Sequence, residues 1–146
     1  MEVKIKYLTP TAQTPTYGSE KAAGADLYAD ICGEGFVQIP PHSTVKIGTG
    51  LAITPPKGYF GAIFARSGLA TKAGLRPANC VGVCDEDYTG EYIVALHNDT
   101  DDVGIVHHGD RIAQLVFLPY AQVNFTKVAE LDTTARGDGG FGSSGK

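Results

Sequence analysis

The sequence predicts an all-β sandwich, jelly roll or barrel with one short helix and a glycine-rich C-terminal arm. Three observations point there. Short apolar stretches recur between clusters of turn-forming residues. The 19 glycines and 8 prolines are spread along the 146 residues instead of marking one linker. Only one segment, 67–74, reads as helix, opening on a serine in the cap position and closing on glycine.

Val3, Ile5 and Tyr7 alternate with polar residues, the two-residue period of a strand buried on one face. Further strands are predicted at 25–29, 35–39, 44–53, 58–65, 79–83, 90–98, 104–106, 111–119 and 124–128. Turn signals separate them: Pro40-Pro41, Pro55-Pro56-Lys57-Gly58, Tyr88-Thr89-Gly90 and Asn98-Asp99-Thr100. Strands flank the acidic stretch 85–87, so 79–98 reads as a β-hairpin with three acids at its tip. Residues 1–135 form one domain, and 136–146 form an arm.

Composition narrows the function classes. Hydrophobic residues make up 42%, enough for a folded core. No apolar run is long enough to span a membrane, and the N-terminus lacks the apolar stretch of a signal peptide. A cytoplasmic location is expected. A net charge of −4 argues against binding a nucleic-acid polymer, which relies on Lys and Arg at phosphates. A small phosphorylated ligand needs only a few local cations. Cys32, Cys80 and Cys84 suggest neither a disulfide framework nor a common zinc pattern.

Five segments carry polar residues that chemistry could use. The arm, 136–146, holds five glycines and no aliphatic side chain. Its end matches G-x-x-x-x-G-K, but a P-loop also needs a preceding strand, a following helix and a hydroxyl residue after the lysine. Glycines still let backbone N–H groups converge on phosphate oxygens. A solvated tail is the competing reading, against which Phe141 speaks. Arg66 and Ser67 stand where a strand meets a helix start, a place that attracts anions. Asp85 directly follows an apolar strand and can act as a general base toward water. Gln114 interrupts an apolar strand and needs a partner or a ligand. Asp26 sits among small residues and says little alone.

In order along the chain, AGADLYA (23–29), RSGLA (66–70), GVCDEDYTGE (82–91), GDRIAQLV (109–116) and RGDGGFGSSG (136–145) together resemble the trimeric dUTPase family. The resemblance spans nearly the whole chain. It implies a jelly-roll-like fold, a homotrimer with shared active sites, and Mg²⁺-assisted hydrolysis of dUTP to dUMP and pyrophosphate. It also assigns roles. Asp85 would position the attacking water. Tyr88 would pack beneath the deoxyribose, and Asn79 with the backbone at Val83, Cys84 and Ile93 would read uracil. Arg66, Ser67, Gly68 and Gln114 would contact phosphates. In the arm, Phe141 would stack on the base, while Arg136, Gly142, Ser143 and Ser144 would engage the phosphates. Asp26 would approach the metal only through water. Cys84 departs from the family, which usually carries an aliphatic residue there. The nearest rival is the related dCTP deaminase chemistry, for which Glu86 or Glu91 would have to serve as the acid/base.

Overall fold

The alternation of apolar and polar residues makes most of the chain extended. The computed structural model describes residues 1–32 and 35–140. Its strands are β1 (Lys4–Tyr7), β2 (Thr16–Tyr17), β3 (Ala25–Tyr28), β4 (Phe36–Ile39), β5 (Thr44–Thr54), β6 (Tyr59–Phe64), β7 (Leu75–Pro77), β8 (Val81–Cys84), β9 (Glu91–Asn98), β10 (Gly104–His107) and β11 (Arg111–Pro119). One helix, α1 (Ser67–Ala73), lies between β6 and β7.

Three antiparallel sheets result. One orders its strands β1-β5-β9-β7, the second β2-β3-β11-β6-β8, and β4 pairs with β10. All contribute to one core, with Leu27, Leu115 and Ile63 from one large sheet, Leu51, Tyr92 and Leu96 from the other, and Ile39 and Val106 from the small one. The faces approach closely at Gly61, where an added Cβ would lie 2.9 Å from the Tyr92 hydroxyl. Glycine is required there by space, not by backbone angle.

Strand β5 is long because it serves two partners. Its first half pairs with β9 and its second with β1, with a register shift between Gly48 and Ala52. Gly50 lies in the left-handed region at φ 65°, and its N–H donates to Glu91 Oε1 at 2.8 Å. The irregularity is thus capped by a side chain instead of left open.

Four sequence expectations need correction. The stretch 79–98 is not a hairpin: β8 pairs with β6, whereas β9 pairs with β5 and β7. The acidic turn therefore crosses between sheets. The predicted strand at 79–83 starts only at Val81, because Cys80 adopts φ 60° within a turn that closes on Pro77. The helix cap is Arg66 in extended conformation with no side-chain cap bond, and Ser67 is already helical. Gly74 closes the helix in the left-handed region, as its position predicts. Residues 124–128 form no strand. A strand needs a partner for its backbone, and this stretch finds none on its own fold. Phe125 is 96% exposed and Leu131 87%. Short β2 and β7 carry too few residues, with prolines beside or within them, to be read from periodicity.

Asn98 ties the sheets together. Fully buried at the end of β9, it donates Nδ2–H to Ile39 O at 2.9 Å and to Asp102 O at 2.7 Å. Its Oδ1 accepts from the Thr100 N–H and hydroxyl. Asn98→Ala strands several buried polar groups and should cost about 2–4 kcal/mol. Urea unfolding measures it, and a midpoint equal to wild type would contradict this account.

Candidate functional site

Two polar constellations emerge. The first is a cavity of about 190 Å³ lined by Ile63, Asn79, Gly82, Val83, Cys84, Asp85, Tyr88, Glu91, Tyr92 and Ile93. It thus gathers Asn79, Val83, Cys84, Asp85, Tyr88 and Ile93, all singled out from sequence. Asp85 opens and Tyr88 closes a four-residue turn, with Tyr88 N–H donating to Asp85 O at 3.1 Å. Val83, Tyr88 and Ile93 present exposed apolar surface around it. A flat base could spread over such a rim while its polar edge meets the backbone.

Tyr88 is held from three directions. Its hydroxyl donates to Glu91 O at 2.9 Å. Its ring lies 6.2 Å from that of Tyr92, tilted by 36°. Gly90 leaves it room, since a Cβ there would come within 2.5 Å of the Tyr88 hydroxyl. Behind the cavity Cys84 is buried, and burial pushes its thiol pKa up. Burial likewise pushes the Tyr92 phenol up, and among the described residues its hydroxyl is the buried side-chain polar atom without a hydrogen-bond partner.

The second constellation centres on Asp26, whose side chain is 5% exposed. Asp26 and Gln114 are direct register partners on β3 and β11, and Gln114 also faces Phe64 on β6. Arg66 follows two residues after β6 ends. Its Nε donates to Asp26 Oδ1 at 2.9 Å. Arg111 NH1 donates to Asp26 Oδ2 at 3.2 Å, and Gln114 Nε2 reaches Oδ1 at 3.4 Å. Arg66 NH1 also donates to Arg111 O at 3.2 Å. Two guanidiniums against one carboxylate leave positive charge for an anion. Arg111 was not identified from sequence. Its signal was present, because an arginine three residues before Gln114 enters the same strand.

The cavity lining and the arginine cluster share no residue. Ser67 and Gly68 sit in the first turn of α1 beside Arg66. Arg136 is exposed and folds back on its own loop, with Nε donating to Gly139 O at 2.9 Å. Phe141, Gly142, Ser143 and Ser144 lie outside the described residues.

Among the described residues no group of three or more His, Cys, Asp or Glu side chains could hold a metal ion. Asp26 already accepts from two arginines and a glutamine. With Asp26 so engaged, a divalent ion could meet it only through water. Glu86 lies outside the cavity lining, and its Oε2 accepts from Gly58 N–H at 2.7 Å and from the Tyr120 hydroxyl at 2.9 Å. Glu91 belongs to the lining and accepts from Gly50 N–H through Oε1.

The dUTPase family model matches residues 11–145. The chain is similar to the deoxyuridine 5'-triphosphate nucleotidohydrolase of Desulfitobacterium hafniense, with 49% identity covering 99% of this chain and 97% of that one. The corresponding protein of Desulfotalea psychrophila is 44% identical, with 99% of both covered. Among solved structures, the dUTPase of Staphylococcus bacteriophage 80alpha with dUpNHpp superposes with a TM-score of 0.85 at 26% identity, covering 99% of both chains. Among the described residues no helix is long and apolar enough to cross a membrane.

The acidic turn also has a defined pH response. The Gly58 N–H, and then the Tyr120 hydroxyl, hold the Glu86 carboxyl below its ordinary value of 4.5. A lowered folded-state value means the contact is fully present above that ordinary value and is lost as pH falls through the lowered one. A carboxyl-carbon NMR titration should therefore put the Glu86 midpoint below 4.5. A midpoint at or above it would mean that the two contacts do not form in solution.

Proposed function

Because the chain belongs to the dUTPase family, we propose that its two constellations are the nucleoside and phosphate halves of one dUTP-hydrolysing site. The enzyme is a dUTP nucleotidohydrolase that releases dUMP and pyrophosphate, which limits uracil in DNA and supplies dUMP for dTMP synthesis. The observation that carries the division of roles is the turn that Asp85 opens and Tyr88 closes, with both side chains lining one small cavity. Asp85 orients a water for attack in line with the α-phosphorus and accepts its proton. The Tyr88 ring packs beneath the deoxyribose and leaves no space for a 2′-hydroxyl. Asn79 and the backbone at Val83, Cys84 and Ile93 take the polar edge of uracil.

Arg66, Ser67, Gly68 and Gln114 hold the phosphates. Polyphosphate hydrolysis depends on positioning and charge neutralisation more than on covalent chemistry. Asp26 keeps Arg66 oriented, so that the guanidinium meets the phosphates without first reorganising. Mg²⁺, when bound, would supply neutralisation of phosphate charge, and Asp26 would meet it only through water. Residues 136–146 form the arm that closes over the nucleotide. Phe141 stacks on the base, and Arg136, Gly142, Ser143 and Ser144 engage the phosphates. Closure excludes bulk water.

The working form is a homotrimer with shared sites. What supports this is the uncovered 121–131 stretch. Each subunit would send that stretch and the arm beyond it across a neighbour. A cytoplasmic location suits a nucleotide-pool enzyme.

With Mg²⁺ present, dUTP should yield pyrophosphate, whereas dCTP, dTTP and UTP should yield little. Measuring pyrophosphate and ammonia separately decides the reaction. Ammonia from dCTP would overturn the hydrolase reading, and equal turnover of UTP would remove the role of Tyr88. Asp85→Asn should fold and bind nucleotide but lose about 10²–10⁴-fold in turnover. Near-normal turnover in that variant would remove Asp85 as the base.

A further inference from the structure

The turn from Asp85 to Tyr88 lacks the support that a hairpin would give it. Its flanking strands belong to different sheets, so no shared ladder runs up to its ends. The hydrogen bond between Tyr88 N–H and Asp85 O closes the turn on itself but does not anchor it to the body. Tyr88 ties the far end of the turn to β9 through Glu91 and Tyr92, and the anchor next to Asp85 is the second residue of the turn. Glu86 reaches away from the cavity, and its Oε2 accepts from Gly58 N–H at 2.7 Å and from the Tyr120 hydroxyl at 2.9 Å.

Both partners are themselves fixed. Tyr120 N–H donates to Gly58 O at 3.2 Å. The Tyr120 ring meets Phe60 edge-on, with centroids 6.5 Å apart and planes at 75°. Gly58 adopts φ 80° in the turn that enters β6, and Tyr120 directly follows the end of β11. One carboxylate oxygen thus joins three segments: the catalytic turn, the β5–β6 turn, and the first residue of the C-terminal stretch.

We propose that Glu86 is a positioning residue for hydrolysis, clamping the turn so that Asp85 and Tyr88 keep a fixed relation to the nucleoside cavity. This rests on the role given to Asp85 above. Glu86 touches no reacting atom in this scheme. It acts by geometry, and a misplacement of about 1 Å in a catalytic group can cost on the order of 10²-fold in rate.

The test uses full-length protein with dUTP and Mg²⁺, and reads kcat and KM per folded active site together with the thermal midpoint. Glu86→Ala should lower kcat about tenfold while KM changes less than about threefold. Glu86→Gln should restore kcat to within about threefold of wild type, since its amide oxygen still accepts from Gly58 N–H. Tyr120→Phe should lower kcat less than Glu86→Ala, and the double variant should be no worse than Glu86→Ala alone. A residue that only supports the fold would lower the thermal midpoint and leave kcat per folded site unchanged. Unchanged kcat in Glu86→Ala, a Gln variant as impaired as the Ala variant, or multiplying effects in the double variant would each overturn the proposal. If Glu86→Ala fails to fold, unchanged kcat in Tyr120→Phe overturns it, and a reduced kcat supports it. An active Glu86→Ala beside an inactive Asp85→Asn removes the clamp alone. An active Asp85→Asn removes the reading on which it rests.

Discussion

The carboxylate of Asp26 organises the arginine cluster where β3, β6 and β11 meet. A charge so nearly withdrawn from water is tolerated only when it is paired and hydrogen-bonded. Arg66 and Arg111 supply the pairing, and Gln114 supplies a further donor. These groups come from three adjacent strands or their ends, so the pairing is met only when β3, β11 and β6 are in register. Removing the carboxylate would leave two neighbouring guanidiniums with nothing between them. The same arrangement that satisfies the fold therefore holds cationic groups ready for a polyanion.

The cavity beside Asp85 and Tyr88 is built on a different logic. Its walls combine apolar side chains with the polar groups of Asn79, Asp85 and Glu91. Shape is set by close contacts: Gly90 against Tyr88, Tyr88 against Tyr92, and Gly61 against Tyr92. Recognition of a flat base by such a surface depends on width and backbone direction more than on attraction. This explains how Cys84 can stand at a usually aliphatic position. It is buried behind the rim and contributes volume, not chemistry.

Much of this was legible in the chain because strands announce their faces by alternation. Most predicted strands agree with the observed ones to within a residue or two. What alternation does not encode is which strand pairs with which. Hence 79–98 looked like a hairpin, although its two strands join different sheets. Hence too 124–128 looked like a strand, although its own fold offers it no partner. Ser67 resembled a cap because serine favours that position, but Arg66 holds the cap position in extended conformation and its side chain pairs with Asp26. Arg111 and the Glu86 contacts were hidden for a related reason. Their meaning lies in partners far along the chain, which no local pattern reveals. Motif resemblance identified Asp85, Tyr88 and Asn79 as a group, and folding brings them to one cavity.

The exposed stretch after Tyr120 also bears on handling and synthesis. Val123, Phe125, Val128 and Leu131 leave apolar surface uncovered on the fold of a single chain. Surface of that kind is a liability for aggregation until something covers it. If copies of the same chain cover it, apparent stability rises with protein concentration through mass action. Freshly made chains would then be most vulnerable when dilute, in the interval between folding of the β core and capture of this stretch.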